Sequence, residues 1–267
     1  MKKVFLSFFL IVLLISAFSL NFVFAKNPST GSGQANDIPE QDGIYNVPGH
    51  PELKVRVFVH REKPAKPGKP QPPTPSLTCG LDDPQSSAFV DKEVWHLPTT
   101  WTYNLNPSSV PSLVGGSNLF TITENGFNVW ENAISNKVNV VRGSDTTITR
   151  KALDGINVIT WGKASLGALG VTYIWYYPST GEVAELDTIM NKAYVWTWSG
   201  GTTNCAYTES YDAQNILTHE IGHWFGLDDE YDVTNYQNAT MYGYGSKTEV
   251  KKNTLTTGDI NGVKVIY

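Results

Sequence analysis

Residues 219–223 read His-Glu-Ile-Gly-His, and no other stretch of the chain limits its fold as tightly. Two histidines four residues apart lie one above the other on a single face of an α-helix. From there both imidazoles can reach one ion at about 2.0–2.1 Å. Glu220 stands one position on, beside such an ion rather than in the row of ligands. There it could hold an activated water and take its proton. Ile216, Leu217, Ile221, Trp224 and Phe225 surround the motif with apolar bulk, so this helix is packed rather than solvated. Asp212 is a suitable N-cap for it and Gly226 a suitable stop.

A catalytic zinc site takes three protein ligands and keeps an open position, so two histidines are not enough. A glycine just past a helix can adopt a left-handed conformation and turn the chain sharply back. Beyond Gly226 stand Asp228, Asp229 and Glu230, all with the right chemistry for a third ligand, and geometry alone does not choose among them. Glu249 is a more distant alternative, in a different arrangement that has no use for Gly226, Asp229 or Met241.

The rest of the chain sets the context. Lys2 and Lys3 precede an uncharged apolar run that ends in Val23-Phe24-Ala25, the pattern of a secretory signal peptide over residues 1–25. The chain's net charge is −5, and the leader's two lysines are the only charges in those 25 residues, so the remainder is more acidic still. Nucleic acid and anionic membrane surfaces are therefore not expected as partners. With 40% hydrophobic and 17% charged residues the chain can bury a sizeable core. Leu53, Val55, Val57 and Val59 alternate with other residues and predict a strand. Six prolines then fall between Pro64 and Pro75, a semi-rigid spacer. The expected organisation is a signal peptide (1–25), an N-terminal segment that is removable or separately mobile (26–61), a Pro-rich linker (62–78) and a catalytic domain (79–267).

Within that domain the pattern is α+β. Trp101, Tyr103 and Leu105 alternate as a first strand. Phe120, Thr123, Phe127, Trp130, Ile134 and Val138 recur at helical spacing, with a capping box at Thr121 and Glu124. Further strands are expected near 138–141, 157–161, 171–177 and 183–190. A last helix is expected from Thr257, with Asp259 in its first turn and Ile260, Val263 and Ile266 facing in.

His219-Glu-x-x-His223-x-x-Gly226-x-x-Asp229 resembles the extended zinc motif of the metzincin proteases, with Asp where most members carry His, as in snapalysin-type enzymes. Asn238-Ala-Thr-Met-Tyr-Gly-Tyr-Gly245 is similar to a Met-turn, which would set Met241 under the metal. Residues 255–267 resemble the last helix of matrixins, and 100–105 their first strand. The resemblance covers about residues 92–267. It implies a twisted, mostly parallel five-stranded sheet with an active-site helix, a Met-turn and a C-terminal helix. It also implies Asp229 as third zinc ligand beside His219 and His223, and Glu220 as general base. This turn has Gly243 where matrixins usually have proline, so Tyr242 and Tyr244 read as packing residues as readily as substrate contacts. A second, histidine-rich structural zinc site is not found: His50, His60 and His96 are too scattered to form it.

The function so implied is a secreted, monomeric zinc endopeptidase that cleaves peptide bonds with metal-activated water. Its substrate, a protein or peptide, would lie extended along the sheet's edge strand near residues 169–176. No stable membrane association is expected once the signal is removed. The competing reading is a secreted surface-binding module whose zinc is structural. Calcium could also bind at Asp228, Glu230 and Asp232, or at Glu185 and Asp187, although solvated loop charge is the simpler reading. Cys79 and Cys205 have two readings. An even count in a secreted chain predicts a disulfide. Leu77-Thr-Cys-Gly-Leu-Asp-Asp83 also resembles the matrixin cysteine switch, without its Arg and Pro.

Overall fold

A computed structural model of the protein describes residues 38–64 and 74–267. The expected signal peptide and most of the proline spacer lie outside the described residues. In chain order the elements are β1 (Gly43–Val47), β2 (His50–Glu62), β3 (Leu77–Cys79), β4 (Thr100–Leu105), α1 (Leu119–Ala133), β5 (Asn139–Asp145), β6 (Val158–Gly162), β7 (Ala168–Tyr176), β8 (Val183–Asn191), β9 (Trp196–Thr197), β10 (Cys205–Tyr207), β11 (Tyr211–Asp212), α2 (Ala213–Trp224), α3 (Val233–Tyr236), β12 (Tyr244–Gly245) and α4 (Thr257–Lys264).

The main sheet runs β1-β2-β7-β8-β6-β4-β5, with β12 attached beside β2. Strands β5, β4, β6 and β8 pair in parallel, and β7 joins antiparallel to β8. These five are the mostly parallel set expected from the resemblance. Every residue of β6 and β7 is buried, as continuous apolar runs covered on both faces should be.

The sheet does not stop at β7, so residues 169–176 are not the edge strand expected for the substrate but an inner one. Strand β2 lies antiparallel against it from Lys54 opposite Tyr176 to Arg61 opposite Ala168, and β1 folds back on β2. The N-terminal segment expected to be removable or separately mobile is thus built into the catalytic sheet in this structure. The predicted alternation of β2 explains how. Leu53, Val55, Val57 and Val59 join Val171, Tyr173, Trp175 and Ile189 in an apolar cluster on one face. On the other face α1 and α2 pack over the larger core.

Helix α1 begins at Leu119 after a short 3-10 turn at Gly116–Asn118, so Thr121 lies inside the helix and caps nothing. Glu124 instead accepts a hydrogen bond from the Tyr103 hydroxyl at 2.7 Å. The helical spacing read through Val138 ends at Ala133, where Ser135 and Asn136 take φ values of 57° and 56° and turn the chain into β5. The capping box that does form belongs to α4. Thr256 and Asp259 satisfy each other's backbone N–H groups.

Cys79 and Cys205 face each other across the β3–β10 pair and form a disulfide. They are separated by 126 residues, a loop whose closure is worth about 4–5 kcal/mol in the chain-entropy model. This is the first of the two readings of the cysteines.

Candidate metal centre

Helix α2 is positioned at both ends. Asp212 is extended and accepts hydrogen bonds from the Gln214 and Asn215 amides, both at 3.0 Å, as the predicted N-cap should. At the other end Gly226 has φ +92°, a conformation costly for any residue with a Cβ. The chain reverses there and returns Asp229 to the helix. Between the two ends every residue of α2 is buried.

The turn containing Met241 passes beneath the helix. A Cβ on Gly222 would come within 2.2 Å of the Met241 sulfur, so the glycine inside the motif is what lets the two segments close. This turn is fixed from below by the buried Asp259, whose carboxylate accepts hydrogen bonds from the Thr240 and Met241 amides at 3.0 and 3.1 Å. The Thr240 carbonyl in turn accepts from His219 Nδ1 at 2.8 Å, and the Leu227 carbonyl accepts from His223 Nδ1 at 2.9 Å. Each imidazole therefore has its hydrogen on Nδ1 and a bare lone pair on Nε2.

Those lone pairs meet a carboxylate. Asp229 Oδ1 lies 3.1 Å from His219 Nε2 and 3.7 Å from His223 Nε2. Burial holds both histidines below their ordinary pKa, His223 to about 3, so neither carries a proton to share. All three atoms, together with Glu220 Oε1, are buried without a hydrogen-bond partner. Lone pairs that face one another at this distance repel, and burying them unpaired is costly. A cation between them removes the conflict. Two imidazole nitrogens and a carboxylate oxygen are a donor set suited to zinc.

Glu220 is held from the sheet. Its Oε2 accepts a hydrogen bond from Thr172 on β7 at 2.6 Å. Thr172 pairs with Thr188 on β8 at 2.8 Å, and Thr188 accepts from the Trp224 indole at 2.9 Å. Because Trp224 can only donate and an ionised Glu220 can only accept, the run is directed: Trp224 to Thr188, Thr188 to Thr172, Thr172 to Glu220. Oε1 is left free. Burial pushes the Glu220 carboxyl up to about 8 before any cation is counted.

Several residues at this centre were not picked out in the sequence. The Tyr231 hydroxyl donates to Asp229 Oδ2 at 3.1 Å and holds the carboxylate so that Oδ1 faces the histidines. Tyr231 also stacks edge-on with Tyr244, which packs beside Tyr242. Lys252 is fully buried, and its amine bonds the Tyr242 carbonyl. His60, on β2, completes the surroundings. Its ligand-capable nitrogen, one from His219 and an oxygen of Asp229 all lie within 4.8 Å of one another.

Other expected candidates lie elsewhere. His96 is exposed at a bridge to Glu182, and Glu249 meets Asn215 at 3.4 Å. The acidic residues considered for calcium are otherwise engaged. Glu185 and Asp187 each accept two backbone amides of the 152–158 segment, Asp228 pairs with Arg56, Glu230 accepts the Asp91 amide, and Asp232 caps α3.

A buried helix presenting two histidines and a glutamate, a glycine turn returning a carboxylate, and a methionine turn underneath define the centre of a zinc metallopeptidase. A family model described as matrixin matches residues 94–267, and the chain belongs to the matrixin family of metzincin metallopeptidases. No curated protein sequence matches the chain. Among the described residues no helix is long and apolar enough to cross a membrane.

Proposed function

We propose that the protein is a secreted zinc endopeptidase in which His219, His223 and Asp229 hold the metal and Glu220 is the general base. The observation that carries this reading is the unpartnered Glu220 Oε1, buried beside three unpartnered metal donors. A structural zinc site has no use for a fourth, proton-accepting oxygen. Zinc bound there would polarise a peptide carbonyl and lower the pKa of water. The residues supply the rest. Thr172 fixes one Glu220 oxygen, so the other is held ready to take a proton and return it to the leaving amine. The Nδ1 bonds to Thr240 and Leu227 hold the imidazoles in the ligating tautomer. Strand β7 runs beside Glu220 and is the expected platform for an extended peptide. The protein is expected to work as a monomer, outside the cell, on protein or peptide substrates.

Hydrolysis of denatured casein, abolished by a chelator and restored by zinc, is the expected result. Zinc binding without any peptide hydrolysis, under conditions that free the cleft, would favour the structural-zinc reading instead. That second reading has one observation in its favour. His60 lies beside two of the three donors, His219 and Asp229, and so offers a further protein ligand, as closed structural sites need.

A further inference from the structure

We propose a second binding site on the face of the main sheet away from α2, where Arg150, Lys151 and Lys163 line one pocket that takes a sulfate or phosphate group. The site stands independently of the peptidase reading above.

The pocket is a recess of about 380 Å³. Part of its wall comes from β7, through Val171 and Tyr173 of the apolar cluster on that face. Arg150, Lys151 and Lys163 share the lining with a single carboxylate, Glu40. Three cations against one anion is the reverse of a chain whose net charge is −5. Among the described residues none of the three takes part in an ion pair. Glu40 is partly engaged elsewhere, since it accepts a hydrogen bond from the Ser165 amide.

Lys151 separates this cluster from ordinary surface charge. Arg150 and Lys163 are exposed, whereas Lys151 is half-buried. Its amine lies 3.3 Å from the Tyr173 hydroxyl and 4.7 Å from the centre of that ring. Burial removes part of its hydration and lowers the amine below its ordinary pKa. A phenol and a ring face stabilise a cation but do not cancel its charge. An oxyanion does, and its bonds to an ammonium and a guanidinium are of the strong, charge-assisted kind. The surplus of two positive charges, three minus one, matches one phosphate or sulfate dianion.

The loops that carry the cations are fixed from beneath. Next to Lys151, the Ala152 amide donates to the buried Asp187 at 2.9 Å. Gly162 lets this loop press onto the sheet, because a Cβ there would stand 2.3 Å from the Thr149 carbonyl oxygen. Beyond Lys163, the buried Asn191 side chain donates to the Ser165 and Ala168 carbonyls at 3.1 and 2.8 Å. Like charges lining one recess on anchored loops repel one another, and an anion relieves that repulsion. Because the loops are already placed, binding loses little freedom in ordering them.

The test is calorimetric titration of the full chain at low ionic strength, with inorganic phosphate and, separately, with a disulfated disaccharide. We expect saturable binding of at least one of them, weakening as salt is added. Lys151→Gln and Lys163→Gln, each folded by circular dichroism, should weaken that binding tenfold or more. Lys264→Gln, at the end of α4, should leave it unchanged. Binding of phosphate alone supports the site and identifies a free oxyanion as its ligand, whereas binding of the saccharide alone supports it and identifies a sulfated glycan. No saturable binding of either probe, or binding that both Lys151→Gln and Lys163→Gln leave intact, would overturn the proposal.

Discussion

The two walls of the metal centre are built differently. One is a single run of chain, from Asp212 through α2 and the Gly226 turn to Asp229 and Met241, in which backbone carbonyls fix the two histidines and Thr172 on β7 fixes Glu220. The other is strand β2, carried in from the N-terminal segment and held by pairing with β7 and β12. The first wall contains everything the proposed chemistry needs. The second covers it.

The sharpest way to break this contrast is at Asp229. With that carboxylate as third ligand, Asp229→Ala lowers zinc affinity by at least about a hundredfold, Asp229→His restores it, and Asp228→Ala has a much smaller effect. Equilibrium zinc competition measures all three, and full zinc affinity in Asp229→Ala would remove it from the donor set. Next is the joint that keeps the catalytic side in one piece. Replacing Cys79 and Cys205 with serine should cost about 4–5 kcal/mol and lower the unfolding midpoint by roughly 10 °C, read by calorimetry. Supports that act through another residue should matter less. Thr172→Val frees the second Glu220 oxygen and should lower kcat on the order of tenfold with KM little changed. Tyr231→Phe should weaken zinc binding by about tenfold while leaving the fold intact.

The smallest effect lies away from both walls. Burial pushes the Glu185 carboxyl from its ordinary 4.5 up to about 7. The folded protein thus keeps this proton to higher pH than the unfolded chain does. Its contribution to stability is complete below pH 4.5 and is lost as pH rises through about 7. Glu185→Gln should flatten that fall in the melting temperature, and an unchanged slope would contradict the assignment.

The same contrast explains what could be read from the sequence. His219, Glu220, His223 and the Gly226 turn depend on spacing within a few residues, so they were legible, as were the Asp212 cap and the alternation of Val55, Val57 and Val59. Asp229 was one of three neighbouring carboxylates until the family resemblance singled it out. His60 and Thr172 owe their places to strand register, and the contacts of Asp259 with the Met241 turn to helix docking, which no local pattern states. His60 seemed merely scattered from the other histidines. The usable signal was its phase: it lies on the opposite face of β2 from the valines, in line with Arg56 and Phe58, and that face had no assigned partner. The capping box at Thr121 failed for a related reason, since a 3-10 turn started the helix earlier.

The central claim is that Glu220 moves a proton and binds no metal. It is tested most directly by measuring zinc content and casein turnover together for Glu220→Gln and the unaltered protein. A general base that is no ligand predicts about one zinc per chain in both, with turnover in the variant reduced by about 10²-fold or more. Comparable turnover at equal zinc content would contradict it.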